Sequence, residues 1–263
     1  MNVIDDILVQ QNGPIATVVF NRPKVRNAIS LTMWGEIARL TNDLGREPSV
    51  RAVVYRGSGR EAFASGADIS EFKEVRKDPE TALRYNAQAE AACEAIRGCA
   101  KATVAMIFGY CMGGGMAIAI ACDLRFAAEG ARFGIPAARL GIIYGADGVS
   151  HLVELVGPAN TKDILFSART LGDGEALQIG LIQRLLPPDQ LENYTFEYLR
   201  KVAANAPLSV RGAKFTVASC CESLSAERRK RLQKMAEEAT ASEDYREGTQ
   251  AFLEKRPPEF KGK

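Results

Sequence analysis

Between Ile7 and Asn21 the chain carries two β-rich runs separated by Asn12-Gly13-Pro14, the composition of a hairpin turn, and this pattern predicts two strands. Ser30 stands where a helix cap is expected, and Ile29, Met33, Ile37, Leu40, Thr41 and Leu44 recur at helical spacing, so a helix is expected from Ser30 to about Leu44. Val50 to Arg56 reads as a buried strand, Pro79 to Cys99 as a second helix rich in Ala and Glu, and Thr103 to Phe108 as another apolar strand. Shorter strands are expected at Leu124 to Phe126, at Phe133 and at Leu181 to Leu186, and from Gly148 onward the pattern is otherwise helical. Strands alternating with helices argue an α/β fold with parallel pairing. No internal repeat or low-complexity linker interrupts the order.

Composition narrows the field. A chain of 263 residues that is 46% hydrophobic and 25% charged can bury a large core, which excludes wholesale disorder and a disulfide-stapled miniature. The formal charge is 34 − 32 = +2, too near neutral for a dedicated polyanion binder. Cys93, Cys99, Cys111, Cys122, Cys220 and Cys221 include no C-x-x-C pair and read as reduced thiols of a cytosol-like compartment, so a cytoplasmic location is expected. His151 is the single histidine, which removes multi-histidine metal sites, and no metal or permanently bound cofactor is expected. Met1 to Gln10 carries Asp5 and Asp6 and no basic run before an apolar segment, so it reads as neither signal nor transit peptide. The nearly uncharged stretch Thr103 to Cys122 is interrupted by Gly113-Gly114-Gly115, which favours a strand, a tight turn and a buried helix over a membrane span.

Several motifs bear on chemistry. Gly57-Ser58-Gly59-Arg60-Glu61-Ala62 imitates a dinucleotide fingerprint, but that fingerprint needs a helix to begin there, whereas another glycine turn, Ser65-Gly66-Ala67-Asp68, follows. No P-loop or nucleophile elbow occurs, and Ser150 beside His151 reads as helix surface. The basic run Glu227-Arg228-Arg229-Lys230-Arg231 has Glu237 and Glu238 within two turns and reads as a solvated face rather than an RNA contact. Two glycine turns remain, Ser65-Gly66-Ala67-Asp68 and Met112-Gly113-Gly114-Gly115. Each lies at the end of an expected strand, where free N–H groups can meet an anion or a polarised carbonyl. Tight packing of a buried helix is an equal reading of the spacing alone.

Taken together, Asn21-Arg22-Pro23 with Arg26-Asn27-Ala28, Phe63-Ala64-Ser65-Gly66-Ala67-Asp68-Ile69, Gly109-Tyr110-Cys111-Met112-Gly113-Gly114-Gly115 and Cys122-Asp123-Leu124-Arg125 resemble the crotonase, or enoyl-CoA hydratase/isomerase, superfamily over nearly the whole chain. The tail from Glu247-Gly248 to Arg256 fits as well. The resemblance implies a crotonase-like spiral of ββα repeats over residues 1–200, a helical C-terminal trimerisation and CoA-closing region over 201–263, and a homotrimer or dimer of trimers. It implies that the N–H groups of Ala67 and Gly114 form an oxyanion hole for the thioester carbonyl of an acyl-CoA, with coenzyme A entering as part of the substrate. It further implies that Lys24, Val25, Arg26, Ala67, Asp68 and Ile69 line the CoA path, and that Phe252 and Lys255 close over the nucleotide end, including that of a neighbouring subunit's ligand.

The sequence departs from the hydratase pattern at both catalytic carboxylates, whose places are taken by Ala117 and Ala137. A positioned acid or base is typically worth ~10²–10⁴-fold, so ordinary hydration or isomerisation should suffer. The replacement candidates are Tyr144 and Asp147. Tyr144 falls where the methylmalonyl-CoA decarboxylase branch has a tyrosine, although that branch has a histidine at the place of Ala67. Loss of CO2 makes an enolate without a base, so a decarboxylase-like or other lyase is expected. A residual hydratase or isomerase using Asp147 or Tyr144 competes with it, as do a silent CoA-binding protein and an RNA-binding relative. Asp147 with Gly148 also reads as a helix cap.

Overall fold

The computed structural model describes residues 5–222 and 224–263, so Met1 to Ile4 of the segment read for targeting lie outside the described residues. The chain opens with a hairpin of β1 (Ile7–Asn12) and β2 (Ile15–Phe20), antiparallel from Ile7 opposite Phe20 to Asn12 opposite Ile15. Helix α1 (Leu31–Arg46) follows, capped by the Ser30 hydroxyl, which accepts from Met33 N at 3.3 Å. Its buried stripe holds Met33, Ile37, Leu40, Thr41 and Leu44, as the spacing predicts, with Trp34 added, while Ile29 precedes the helix. Each large apolar member of such a stripe contributes ~1.5–3 kcal/mol when fully buried.

Three pairs of strands then repeat one theme. β3 (Ala52–Gly57) is followed by β4 (Ala62–Ala64) and by the helices α2 (Phe72–Val75) and α3 (Pro79–Gly98). β5 (Ala102–Ile107) is followed by β6 (Tyr110–Met112) and α4 (Gly114–Ala121). β7 (Leu124–Ala128) is followed by β8 (Arg132–Gly134) and α5 (Ala146–Ser167). The chain continues through β9 (Leu171–Gly172), α6 (Asp173–Gln178) and β10 (Arg184–Leu186). In each pair the first strand joins a six-stranded sheet of order β1-β2-β3-β5-β7-β10, and the second joins a four-stranded sheet of order β4-β6-β8-β9. From β2 onward the large sheet is parallel, as are β4, β6 and β8. This is an α/β spiral of ββα units. A helical C-terminal region completes it: α7 (Leu191–Ala203), α8 (Pro207–Glu222), α9 (Ala226–Ala241) and α10 (Glu243–Glu254).

Several expectations need correction. β4 and β6 are three residues each, too short to show an alternating period, so of the second sheet the pattern predicts only β8, at Phe133. The strand expected at Leu181 to Leu186 pairs only over Arg184–Leu186, because the Leu181 carbonyl is taken by Arg125 Nε at 2.8 Å. The helix expected from Gly148 begins at Ala146 and breaks at Gly157, whose φ of 76° and ψ of 166° precede Pro158. Asp147 is not the cap of that helix; Gly145 holds the position, and Asp147 stands in the first turn. The basic run is a solvated face, with Arg229, Lys230 and Arg231 exposed, although Arg231 also lies 4.3 Å over the Phe215 ring and Arg228 5.9 Å from it. Gly57-Ser58-Gly59 opens no helix, and the chain turns back into β4. Among the described residues, no helix is long and apolar enough to cross a membrane.

The motif Cys122-Asp123-Leu124-Arg125 is structural. Asp123 Oδ2 accepts from Thr103 N at 2.8 Å and Thr103 Oγ1 at 3.0 Å, tying β7 to β5. The Arg125 side chain is buried and donates to the carbonyls of Leu181, Cys122 and Ala119, so it closes the C-terminal end of α4, where unsatisfied carbonyls collect.

Candidate active site

Two turns at the ends of β4 and β6 meet in space. Gly66 has φ 118°, a conformation that favours glycine, and a Cβ there would lie 3.7 Å from Gly114 N. A Cβ on Gly114 would lie 3.3 Å from Ala67 N and 2.9 Å from Trp34 Cζ2. The N–H groups of Ala67 and Gly114 are therefore neighbours across a gap that only a residue without a side chain leaves open. Gly114 is the first residue of α4, so its N–H has no partner inside the helix, and among the described residues no acceptor receives the Ala67 N–H. The positive end of α4 adds to the field at this point.

The first motif holds the Ala67 turn in place. Arg22 donates to Asp68 Oδ2 at 2.8 Å and to Ala28 O at 2.9 Å, while Asn27 donates to Ala62 O at 2.7 Å and accepts from Arg22 N at 3.1 Å. On either side of Ala67, Ile29 N bonds Gly66 O at 2.8 Å and Asp68 N bonds Ile29 O at 2.9 Å. The hydrogen bond from Ser70, helped by that from Arg22, holds the Asp68 carboxyl below the usual aspartate range. Ala67 thus has its neighbours fixed while its own N–H is left available.

A cavity of about 190 Å³ opens in front of the two turns. Ala67, Ile69 and Gly114 line it, and so do Ala117 from α4 and Ala137 from the short turn Pro136–Leu140. Both positions where a hydratase carboxylate was expected face this space with methyl groups. Tyr144 and Asp147 also line it. The Tyr144 hydroxyl is buried and makes no hydrogen bond among the described residues. Burial pushes its phenol far up, with the Cys93 and Cys111 thiols adding to the effect, so it stays protonated at any working pH. Cys93 is itself pushed up to about 12 by burial, which leaves it an inert thiol. Asp147 is exposed.

The structure does not bring the remaining expected residues to this cavity. Lys24 and Val25 are exposed on the turn Pro23–Val25, and Arg26 pairs with Glu61 at 2.7 Å and covers the Tyr110 ring. They touch the site indirectly, through the Val25 carbonyl, which accepts from Ser65 Oγ at 3.2 Å. Asp68 acts through its bonds to Arg22 and Ser70. Phe252 is 84% exposed and lines a separate cavity of about 570 Å³ formed in part by α9 and α10, and Lys255 follows α10.

Sequence reasoning missed Arg76, Glu90 and Glu94, which line the cavity, and His151, read above as helix surface, lines it too. Glu90 Oε1 lies 3.1 Å from the place a Gly145 Cβ would take, so α3 and the loop before α5 are in contact across the cavity wall. The recurrence of Asn86, Glu90 and Glu94 every four residues was the available signal for a polar stripe on α3. His151 stands four residues after Asp147 in the same way. Among the described residues, no group of histidine, cysteine or carboxylate side chains is arranged to hold a metal.

Comparison with known proteins agrees with this architecture. The family model described as enoyl-CoA hydratase/isomerase matches residues 10–263. The chain is 33% identical to the short-chain-enoyl-CoA hydratase of Clostridium acetobutylicum over 80% of each protein, and 30% identical to the crotonyl-CoA hydratase of Syntrophomonas wolfei over 97% of this chain and 98% of that one. It superposes with a TM-score of 0.93 on the crystal structure of an enoyl-CoA hydratase/carnithine racemase from Magnetospirillum magneticum, at 31% identity, covering 99% of this chain and 97% of that one. The chain belongs to the enoyl-CoA hydratase/isomerase family, the crotonase superfamily.

Proposed function

We propose that the protein binds an acyl-CoA, holds its thioester carbonyl between the Ala67 and Gly114 N–H groups, and stabilises an enolate there in a base-poor reaction, decarboxylation or another lyase step. The observation that carries this reading is the pair of adjacent, unpartnered N–H groups facing a cavity whose walls at Ala117 and Ala137 are methyl groups. One oxyanion-hole donor is typically worth ~2.7–4 kcal/mol, because the dipole is already aimed where charge develops. For a malonyl-type thioester, the bond from the α-carbon to the carboxylate breaks and CO2 leaves. The electron pair passes into the thioester enolate, whose oxygen the two N–H groups receive, and a proton then returns to the α-carbon. Tyr144, kept protonated by burial, is the hydroxyl in the cavity wall suited to donate toward that enolate.

Hydration through a displaced carboxylate is the second reading. It is favoured by Asp147 and by Glu90 and Glu94, which line the same cavity from α5 and α3. Loss of enoyl-thioester absorbance with crotonyl-CoA, with CoA binding measured on the same sample, separates the two. Binding without hydration supports the base-poor reading, and rapid hydration overturns it. RNA binding at low salt without CoA binding would remove both. The exposed Phe252 and Leu253 on α10 support burial of that face in an oligomer, a homotrimer in the arrangement the family resemblance implies, where Phe252 and Lys255 would reach a neighbouring subunit's CoA.

A further inference from the structure

The wall of the cavity at the end of α2 and along α3 holds a guanidinium that makes no salt bridge among the described residues. Arg76 lies 5.0 Å from the Phe72 ring centroid and 4.8 Å from that of Tyr85, which fixes its plane, and its Nη2 donates to Asn86 Oδ1 at 2.7 Å. Its Nε is buried and has no acceptor among the described residues. Of the acidic groups nearby in sequence, Asp68 bonds Arg22 and Ser70, Glu71 accepts from the Leu31 N–H at 2.8 Å, Asp78 caps α3 by accepting from Thr81 N at 2.8 Å, and Glu74 is exposed. Glu90 and Glu94 are exposed, where water and salt screen them. A buried donor left unmade is costly, and a rigid, planar guanidinium matches a carboxylate in both shape and charge.

We propose that Arg76 seats a carboxylate at the far end of the acyl group, so that the substrate is an ω-carboxyacyl thioester; in a decarboxylation the departing carboxylate is then a second one, on the α-carbon. This rests on the acyl-CoA reading given above. The far end is indicated by the chain of contacts from the thioester position. Gly114 abuts Trp34 Cζ2, Trp34 Nε1 donates to Tyr85 Oη at 2.9 Å, and the Tyr85 ring lies against Arg76. An indole and a phenol thus separate the guanidinium from the Gly114 N–H. A carboxylate that departs as CO2 gains no acceleration from an ion pair made in the ground state, whereas one retained at the other end is held equally throughout and positions the chain.

The test is calorimetric binding of adipyl-CoA, hexanoyl-CoA and free CoA to the wild-type protein and to Arg76→Met and Arg76→Lys. The wild type should bind adipyl-CoA about ten-fold to a hundred-fold more tightly than hexanoyl-CoA, the range of a charge-assisted pair. Arg76→Met should erase that preference and leave hexanoyl-CoA and CoA unchanged, and Arg76→Lys should retain part of it. Equal wild-type affinity for the two thioesters overturns the proposal while the acyl-CoA reading stands. Loss of free CoA binding in Arg76→Met also overturns it, since the guanidinium would then serve a CoA phosphate. Failure of all three compounds to bind the wild type removes the acyl-CoA reading, and the proposal with it.

Discussion

The two sides of the cavity are built from different material. On the side of β4, β6 and α4, the groups offered are backbone N–H, held by Arg22 and Asn27 and surrounded by Ala67, Ala117 and glycine. On the side of α3, α5 and the loop before it, with Arg76 at the end of α2, the groups are side chains: Arg76, Tyr85, Glu90, Glu94, Tyr144, Asp147 and His151. The first side can stabilise charge and has nothing to move a proton with. The second carries every titratable group of the site. Charge stabilisation is therefore fixed in the scaffold, and the nature of the reaction is left to the opposite wall.

Restoring carboxylates to the scaffold side is the strongest way to break this contrast. The double substitution Ala117→Glu with Ala137→Glu places two acids in front of the N–H pair, and crotonyl-CoA hydration should rise by at least ~10²-fold, since each positioned acid or base is worth ~10²–10⁴-fold. The absorbance assay that reports wild-type hydration reports this gain.

Next in size is Gly114→Ala. Its methyl would meet Trp34 Cζ2 at 2.9 Å and crowd Ala67 N at 3.3 Å, wedging the two turns apart. Turnover of any acyl-CoA substrate should fall ~10²–10³-fold, the cost of a lost oxyanion donor. An unchanged far-ultraviolet circular dichroism spectrum would show that the fold survives.

Tyr144→Phe probes the side-chain wall. Its hydroxyl is buried with no partner among the described residues, so removing it relieves a desolvation cost of ~1–3 kcal/mol while the ring still fills its place. The variant should melt at a higher temperature than the wild type and turn over its substrate more slowly, a combination that marks a group retained for function.

The smallest effect concerns the turn itself. The folded-state pKa of Asp68 lies below the ordinary value, by the bond from Ser70 first and by Arg22 with it. Its contribution to stability is therefore present above the usual carboxylate range, near pH 4, and is lost as pH falls through the depressed value. Asp68→Asn should lower the melting temperature by a few degrees at pH 7, and the difference from wild type should shrink below about pH 4.

The scaffold side was largely legible in the sequence because glycine turns, a capped amphipathic helix and strand-ending motifs are local signals. Ser30 caps α1, and the Ala67 and Gly114 turns lie against each other. The other wall was not, because its side chains come from separate elements that only the tertiary fold brings together. Arg76 follows the four-residue helix α2, too short to have a period, and meets Tyr85 on α3 through ring stacking that no spacing records. Of the second sheet only the strand at Phe133 was legible, because β4, β6 and β9 are two or three residues long and carry no period. Tyr144 is singled out by the family resemblance, but the burial of its hydroxyl depends on α3, whose Cys93 lies nearby.

The most direct test of the central claim follows a malonyl-type CoA thioester with the wild-type protein and with Gly114→Ala, measuring released CO2 and the shortened acyl-CoA, beside crotonyl-CoA hydration by the same samples. The account predicts CO2 release by the wild type, its loss in Gly114→Ala, and little hydration by either. Rapid hydration of crotonyl-CoA with no CO2 release from the malonyl-type thioester would contradict it, and would mean that a carboxylate of the opposite wall does the work of the two missing glutamates.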